Sequence, residues 1–236
     1  HLTKMVLTEL KKYLITEQKC VLLQQRDNGL KILKKTKDFI YLISPNKINF
    51  KNFYKKLEIL LKTKKISFFQ LRLKTENKNK IFNISKKIKK ITNKYNVKFI
   101  INDDPNLAIK INADGCHIGQ KDYDIKKARK ILKNKILGVT CHNSIKLVKK
   151  AIKDRADYVA LGSFFKTKTK KVKFIVNSNT LKKVTKFSKI PVVAIGGINN
   201  SNYKKLLLNK ANFLAISSYI WKNKFLNPEE ALKKLK

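Results

Sequence analysis

The strongest constraint in this sequence is a rhythm that begins near Phe39 and runs to the C-terminus. Short apolar runs occur at Phe39–Ile43, Ile66–Leu71, Val97–Ile101, Gly115–Ile118, Ile136–Thr140, Tyr158–Leu161, Pro191–Ile195 and Phe213–Ser217. Runs this short, bounded by turn residues, read as strands buried on both faces. Lysine-rich amphipathic stretches lie between them, at Phe50–Leu61, Asn79–Tyr95, Pro105–Ile111, Ile125–Leu132, Ser144–Asp154, Ser178–Phe187, Asn202–Leu208 and Pro228–Leu235. In Asn79–Tyr95 the residues Ile81, Ile84, Ile88 and Ile91 recur at helical spacing. Strands alternating with helices predict a parallel sheet closed as a single (β/α)8 barrel, the TIM-barrel architecture, over residues 39–236. An open doubly wound sheet is the alternative, but no glycine-rich fingerprint follows the first strand. Residues 1–38 read as a short N-terminal extension in which Leu7–Leu14 and Leu30–Lys35 flank an Asp27-Asn28-Gly29 turn.

The formal charge is +41, a value that raises the question of nucleic acid or an anionic membrane as partner. Arginine is the preferred reader of phosphates and guanine edges, yet the basic residues are lysines apart from Arg26, Arg72, Arg129 and Arg155. The lysines are spread along the whole chain together with many Ile and Asn, as a compositional bias would leave them. The reading is therefore no specific nucleic acid and no membrane, with the charge serving to steer small polyanionic substrates. No apolar run is long enough to span a bilayer, and no signal-peptide layout is present. Cys20, Cys116 and Cys141 have no paired spacing, which fits a reducing compartment, the cytoplasm. The sequence leaves a homo-oligomer open.

Active sites of such barrels lie at the C-terminal ends of the strands, and the residues there form one polar set. The second strand reads Ser67-Phe68-Phe69-Gln70-Leu71-Arg72-Leu73-Lys74, which puts Gln70, Arg72 and Lys74 on one face, as an anion site requires. The third ends in Asn102-Asp103-Asp104. Asp104, before Pro105, suits a helix cap, and Asp103 suits a hard cation such as Mg²⁺. Asp122 supplies a second acid after the fourth strand. Acids beside cations imply a metal and a phosphorylated substrate. Thr140, at the end of the fifth strand, can donate to phosphate, and His142 is either an acid/base or a structural hydrogen-bonder. Cys116-His117 and Cys141-His142 imitate metal-ligand pairs but sit in apolar runs and read as buried packing. The loop Gly162–Lys171, rich in hydroxyls and lysines, can close over anions. Gly196-Gly197 and Ser217-Ser218, after strands seven and eight, occupy the usual phosphate cradle of the fold.

Together these motifs resemble the thiamine phosphate synthase family, which includes a close relative, the thiazole tautomerase. The resemblance rests on Gln70–Lys74, Ile101–Asp104, Ala113–Gln120 with Asp122, Gly138–His142, Ala156–Val159, Thr167–Lys170, Val193–Ile198 and Ile216-Ser217, and covers about residues 39 to 226. It implies a Mg²⁺-dependent transferase that joins hydroxymethylpyrimidine diphosphate to a thiazole phosphate and releases diphosphate. It further implies Asp103 and Asp122 as metal ligands and Arg72, Lys74, Asn102 and Lys170 as the diphosphate clamp. Thr140 stands in the family's usual serine slot, Gln70 on the pyrimidine side, and Thr167, Thr169, Gly197, Ile216 and Ser217 around the thiazole phosphate. One departure stands out. The family's Gly-Pro-x-Phe/Tyr-Pro-Thr loop start reads Gly162-Ser163-Phe164-Phe165-Lys166-Thr167, and the loss of both prolines implies a less constrained loop.

Two other functions compete. A tautomerase-like isomerase would have no use for a diphosphate clamp of Arg72, Lys74 and Asp122. A non-catalytic basic RNA-binding protein would have no use for two acids at strand ends. The synthase reading requires Asp103 and Asp122 to converge with Arg72.

Overall fold

The structure, a computed structural model, describes residues 38–167 and 175–235. Its eight parallel strands close into a barrel in chain order, β1 (Ile40–Ile43), β2 (Ile66–Leu71), β3 (Lys98–Asn102), β4 (Gly115–Ile118), β5 (Ile136–His142), β6 (Tyr158–Gly162), β7 (Val192–Ile195) and β8 (Phe213–Ile216). Closure comes from β1 pairing with β8, Ile40 opposite Leu214 and Leu42 opposite Ile216. The expected N-terminal extension lies outside the described residues save Asp38, as do Cys20 and the weakly periodic segments around it.

Around the barrel run α1 (Phe50–Lys62), α2 (Lys78–Lys94), α3 (Pro105–Lys110), α4 (Ile125–Leu132), α5 (Ile145–Lys153), α6 (Ser178–Phe187), α7 (Tyr203–Leu208), α8 (Ser218–Trp221) and α9 (Pro228–Lys233). Most start on a side chain that accepts a hydrogen bond from a first-turn N–H: Asn49, Asn77, Asp104, Asp124, Ser144, Asn177 and Asn227. These caps satisfy donors that a helix start otherwise leaves unpaired, each worth about 1 kcal/mol. The buried face of α2 is rotated from the isoleucine stripe. Ile84 and Ile88 are buried, but so are Ser85 and Thr92, whose hydroxyls donate to the carbonyls of Ile81 and Ile88 and thereby enter the core without an unpaired proton. 

The barrel interior is aromatic. Tyr41 of β1 stacks on Phe68 of β2 and meets Tyr158 of β6 edge-on, 5.8 Å between ring centroids, and Phe68 in turn meets Phe213 of β8. Strands β1 and β6 are not neighbours in the sheet, so the contact between Tyr41 and Tyr158 runs through the inside. At the opposite end from the strand termini, Asp114 accepts from the Phe99 N–H at 3.0 Å and pairs with Lys89 Nζ at 2.7 Å and Lys98 Nζ at 3.3 Å. This ties β3, α2 and the start of β4 together.

Candidate active site

The C-terminal ends of β1 to β5 gather the polar residues. β2 stops at Leu71, so Arg72 and Lys74 project from the connection after it and not from a strand face; Leu73, between them, turns into the core. The three polar side chains reach different partners. Gln70 is buried and donates through Nε2 to Asn102 Oδ1 at 2.8 Å. Arg72 donates from a guanidinium N–H to Asn46 Oδ1 at 2.9 Å, and its backbone N–H donates to Ser44 Oγ at 2.9 Å. Lys74 Nζ lies 3.0 Å from Asp103 Oδ2 and 3.7 Å from Asp122 Oδ1.

The two acids are thus neighbours across the ends of β3 and β4, sharing one ammonium group. Burial pushes the Asp103 carboxyl above its ordinary range, as does the like charge of Asp122, against the pull of Lys74. Two carboxylates in this relation are relieved by any cation placed between them. Asp103 adopts a left-handed backbone, φ 65°, and its N–H donates to the His117 carbonyl at 2.8 Å. This turns its side chain away from the line of β3. Asp104 is the cap of α3, accepting from Leu107 N–H at 2.9 Å, as its place before Pro105 predicts.

His117, on β4, is buried inside the barrel, its Nδ1 2.9 Å from Tyr158 Oη and its Nε2 2.8 Å from Thr140 Oγ1. Desolvation lowers its pKa to about 4, opposed by Asp122 and assisted by Arg72, so the ring is neutral near pH 7. Cys116 and Cys141 are buried free thiols, as the apolar runs predict. Among the described residues no cluster of three or more His, Cys, Asp or Glu side chains converges on one point. His142 is exposed at the edge of the barrel.

A second group forms at β7 and β8. Gly196 and Gly197 have φ values of 105° and 66°, and a Cβ on Gly197 would come within 2.5 Å of the Lys166 carbonyl. Glycine is required there both by conformation and by the close approach of the preceding loop. Asn202 Nδ2 fixes the turn by donating to the Gly197 carbonyl at 3.0 Å. Ile216 closes β8, buried, and Ser217 stands at the N-cap position of the short α8 without a side-chain capping bond. The Ser217 hydroxyl donates to the Ser44 carbonyl at 3.0 Å. Trp221 of α8 donates to the Ile43 carbonyl at 2.7 Å, latching β8 to β1.

After β6 the chain enters the proline-less loop. Without prolines, residues 163–165 are nonetheless held: Phe164 and Phe165 donate from their N–H groups to the Ile195 and Gly196 carbonyls, and the Ser163 hydroxyl donates to the Phe165 carbonyl. Backbone hydrogen bonds supply the constraint that the ring would have supplied. Thr167 is described and half-buried, whereas Thr169 and Lys170 lie outside the described residues. Asn46 and Ser44, which brace Arg72 and Ser217, were missed by sequence reasoning. An Asn after a strand is a common turn residue, and nothing local marks it as a brace.

The family profile of thiamine monophosphate synthase matches residues 40–220, spanning every strand described above. The chain belongs to that family. A thiamine-phosphate synthase of Pelagibacter ubique (strain HTCC1062) is 67% identical over 204 residues, 86% of this chain and 98% of that protein. One from Methanobrevibacter smithii is 40% identical over 200 residues, 84% of this chain and 95% of its own length. The solved structure of a thiamine phosphate pyrophosphorylase from Pyrococcus furiosus superposes with a TM-score of 0.74 at 27% identity, covering 84% of this chain and 93% of that one. Membership in the thiamine monophosphate synthase family makes the chain a transferase of thiamine biosynthesis, with thiamine-phosphate synthase activity. Among the described residues no helix is long and apolar enough to cross a membrane.

Proposed function

We propose that the chain transfers the pyrimidine-methyl group of hydroxymethylpyrimidine diphosphate to the ring nitrogen of a thiazole phosphate, with Mg²⁺, in the cytoplasm. The observation that carries this reading is the meeting of Lys74 with both Asp103 and Asp122 at the strand ends; Arg72, two residues earlier on the same connection, is braced by Asn46. The donor set fits Mg²⁺: two carboxylate groups, hard oxygen ligands, and a raised Asp103 pKa that a divalent cation would lower. When bound, Mg²⁺ neutralises diphosphate oxygens and stabilises the charge that departs with them. Asp103 and Asp122 would hold it, and Lys74, released from the acids, would pair with the diphosphate.

The remaining work falls to positioning and charge. The bond between the pyrimidine methylene carbon and the diphosphate oxygen breaks, and both electrons leave with the oxygen. Arg72, Lys74 and Lys170 face that growing negative charge. Asn102 joins this clamp and orients Gln70, which in turn contacts the pyrimidine. The thiazole nitrogen then donates its lone pair to the methylene cation. Thr167, Thr169, Gly197, Ile216 and Ser217 hold the thiazole phosphate, Gly197 and Ser217 through their backbone N–H groups. No nucleophilic side chain is needed. A tautomerase would have no use for the Asp103–Lys74–Asp122 arrangement, which favours the synthase.

The test is direct. The full chain is incubated with both phosphorylated substrates and Mg²⁺, and the expected products are thiamine phosphate and diphosphate in equal amounts. Product formed equally well after exhaustive chelation of divalent metal would refute the metal assignment. Absence of product under every condition would refute the reaction.

A further inference from the structure

A line of hydrogen bonds crosses the barrel and ends at the candidate site. Tyr41 Oη lies 2.7 Å from Tyr158 Oη, Tyr158 Oη 2.9 Å from His117 Nδ1, and His117 Nε2 2.8 Å from Thr140 Oγ1. Tyr41 and Tyr158 are each 2% exposed. Gly138 makes the room: a Cβ there would fall 1.9 Å from the Tyr158 ring.

The protons of this line can be counted. Two phenols, one neutral imidazole and one threonine hydroxyl bring four protons to three links. Thr140 alone is partly exposed and can pass its proton outside the line. If Thr140 donates to His117, the imidazole proton sits on Nδ1 and points at Tyr158. Tyr158 then donates to Tyr41, and the Tyr41 proton is left among Phe68 and the other rings. Among the described residues Tyr158 is the hydrogen-bond partner of Tyr41, and the nearby Cys116 sulfur is only a weak acceptor. If instead Tyr41 donates to Tyr158 while Nδ1 keeps its proton, Tyr158 accepts from both sides and its own proton is orphaned. A doubly protonated imidazole brings a fifth proton and again strands one inside. A buried unpaired donor costs about 1–3 kcal/mol. One arrangement pairs every buried proton: Tyr41 donates to Tyr158, Tyr158 to Nδ1, and Nε2 to Thr140.

We propose that His117 is a positioning residue: its Nε2–H donates to Thr140 Oγ1, so the Thr140 hydroxyl proton is directed outward, to an anionic oxygen of the substrate. Thr140 is thereby a committed donor and not a free rotor. The hydroxyl stands ready for negative charge before substrate arrives, which is what an oxyanion stabiliser needs. Tyr158 and Tyr41 set the direction from across the barrel, as members of one polarised chain. The assignment of the substrate oxygen rests on the function proposed above, but the direction of the line does not.

Two experiments separate these. The first uses the unaltered chain with ¹⁵N-labelled histidine near neutral pH, where ring nitrogen shifts and two-bond couplings report the tautomer. The histidines are His1, His117 and His142, and loss of one signal set in His117→Gln assigns the ring. A neutral ring protonated on Nε2 is expected; a proton on Nδ1, or on both nitrogens, overturns the proposal. The second is a kinetic cycle with Thr140→Val, His117→Phe and the double variant, with thermal melts to verify folding. Thr140→Val is expected to lower kcat by roughly 10²-fold and His117→Phe by roughly 10-fold, the double being no worse than Thr140→Val alone. His117→Gln, which can place an N–H near the Nε2 position, is expected to recover most of the loss. Multiplying effects in the double variant overturn the positioning role even with the tautomer as expected. Full activity in Thr140→Val would instead refute the substrate contact while leaving the tautomer result standing.

Discussion

Asp103 combines a left-handed backbone with a half-buried carboxyl beside a second acid. Neither feature serves stability, since a non-glycine residue in that region is strained and like charges repel. Asparagine tolerates the left-handed region about as well as aspartate does, so Asp103→Asn and Asp122→Asn isolate charge from conformation. Each is expected to keep the melting temperature of the parent or exceed it, and to lose most activity at limiting Mg²⁺; titration of rate against Mg²⁺ checks this, and unchanged rates at limiting metal would remove the ligand role. Arg72 and Ser217 are expected to fail in different ways. On the proposed function Arg72 faces charge that grows as the bond breaks, so Arg72→Ala should lower kcat by roughly 10²-fold. Ser217 spends its hydroxyl on the Ser44 carbonyl, and on the proposed function it meets a spectator phosphate through its N–H. Ser217→Ala should therefore raise KM for the thiazole substrate modestly, through a looser turn, with kcat little changed. Steady-state kinetics with each substrate varied distinguish the two, and a shared pattern would mean the anion sites are wrongly assigned. The charged members of this set were legible because acids and cations at strand ends have no structural reason to be there. The hydrogen bonds of His117 were not, since its partners Tyr158 and Thr140 lie 41 and 23 residues away in the chain and only the closed barrel brings them to the ring.

At the level of elements, the strands were legible to within two residues at either end, because burial on both faces leaves each as an apolar run. The eighth was read one residue too long: Ser217 looks like strand in sequence but stands at the N-cap position of α8. That helix, Ser218–Trp221, is too short to show a period, and its anchor, the Trp221 bond to the Ile43 carbonyl, joins residues 178 positions apart in the chain. The rotated face of α2 escaped notice for another reason: Ser85 and Thr92 become core residues only by satisfying their hydroxyls on their own helix. The same helix supplies Lys89 to Asp114. Burial raises the Asp114 carboxyl, but Lys89, the Phe99 N–H and Lys98 outweigh it and hold it below the ordinary range. An acid whose folded pKa is depressed stabilises above its unfolded value, about 3.9, and the contribution is lost as pH falls through the lower folded value. Asp114→Asn is accordingly expected to cost about 1–3 kcal/mol at neutral pH. The gap to the parent should narrow as pH drops below about 4. Denaturant melts across that range measure it, and a gap that widens toward acid would contradict the ion-pair assignment.

For the molecule as a whole, the net charge of +41 and the site act on different steps. Lysines distributed over the helices lie far from the bond that breaks, and beyond about 10 Å their field is screened at 0.1 M salt. They can raise the local concentration of a polyanionic substrate and its rate of encounter, but they cannot add to stabilisation made at contact distance. Lys74, 3.0 Å from Asp103, belongs to the second class and is screened far less. Raising salt should therefore weaken capture of both phosphorylated substrates while sparing the chemical step. The expected outcome is a KM that climbs for each substrate as KCl is raised at fixed free Mg²⁺, with kcat nearly constant. The diphosphate substrate should show the steeper rise because it carries more charge. Lys90→Gln, exposed in the C-terminal part of the outer helix α2 and so toward the opposite end from the strand C-termini, should flatten that dependence slightly and leave kcat alone, whereas Lys74→Gln should lower kcat at every salt concentration. A kcat that falls with salt as steeply as kcat/KM would mean that the distributed charge acts within the chemical step, against the division argued from the positions of these lysines.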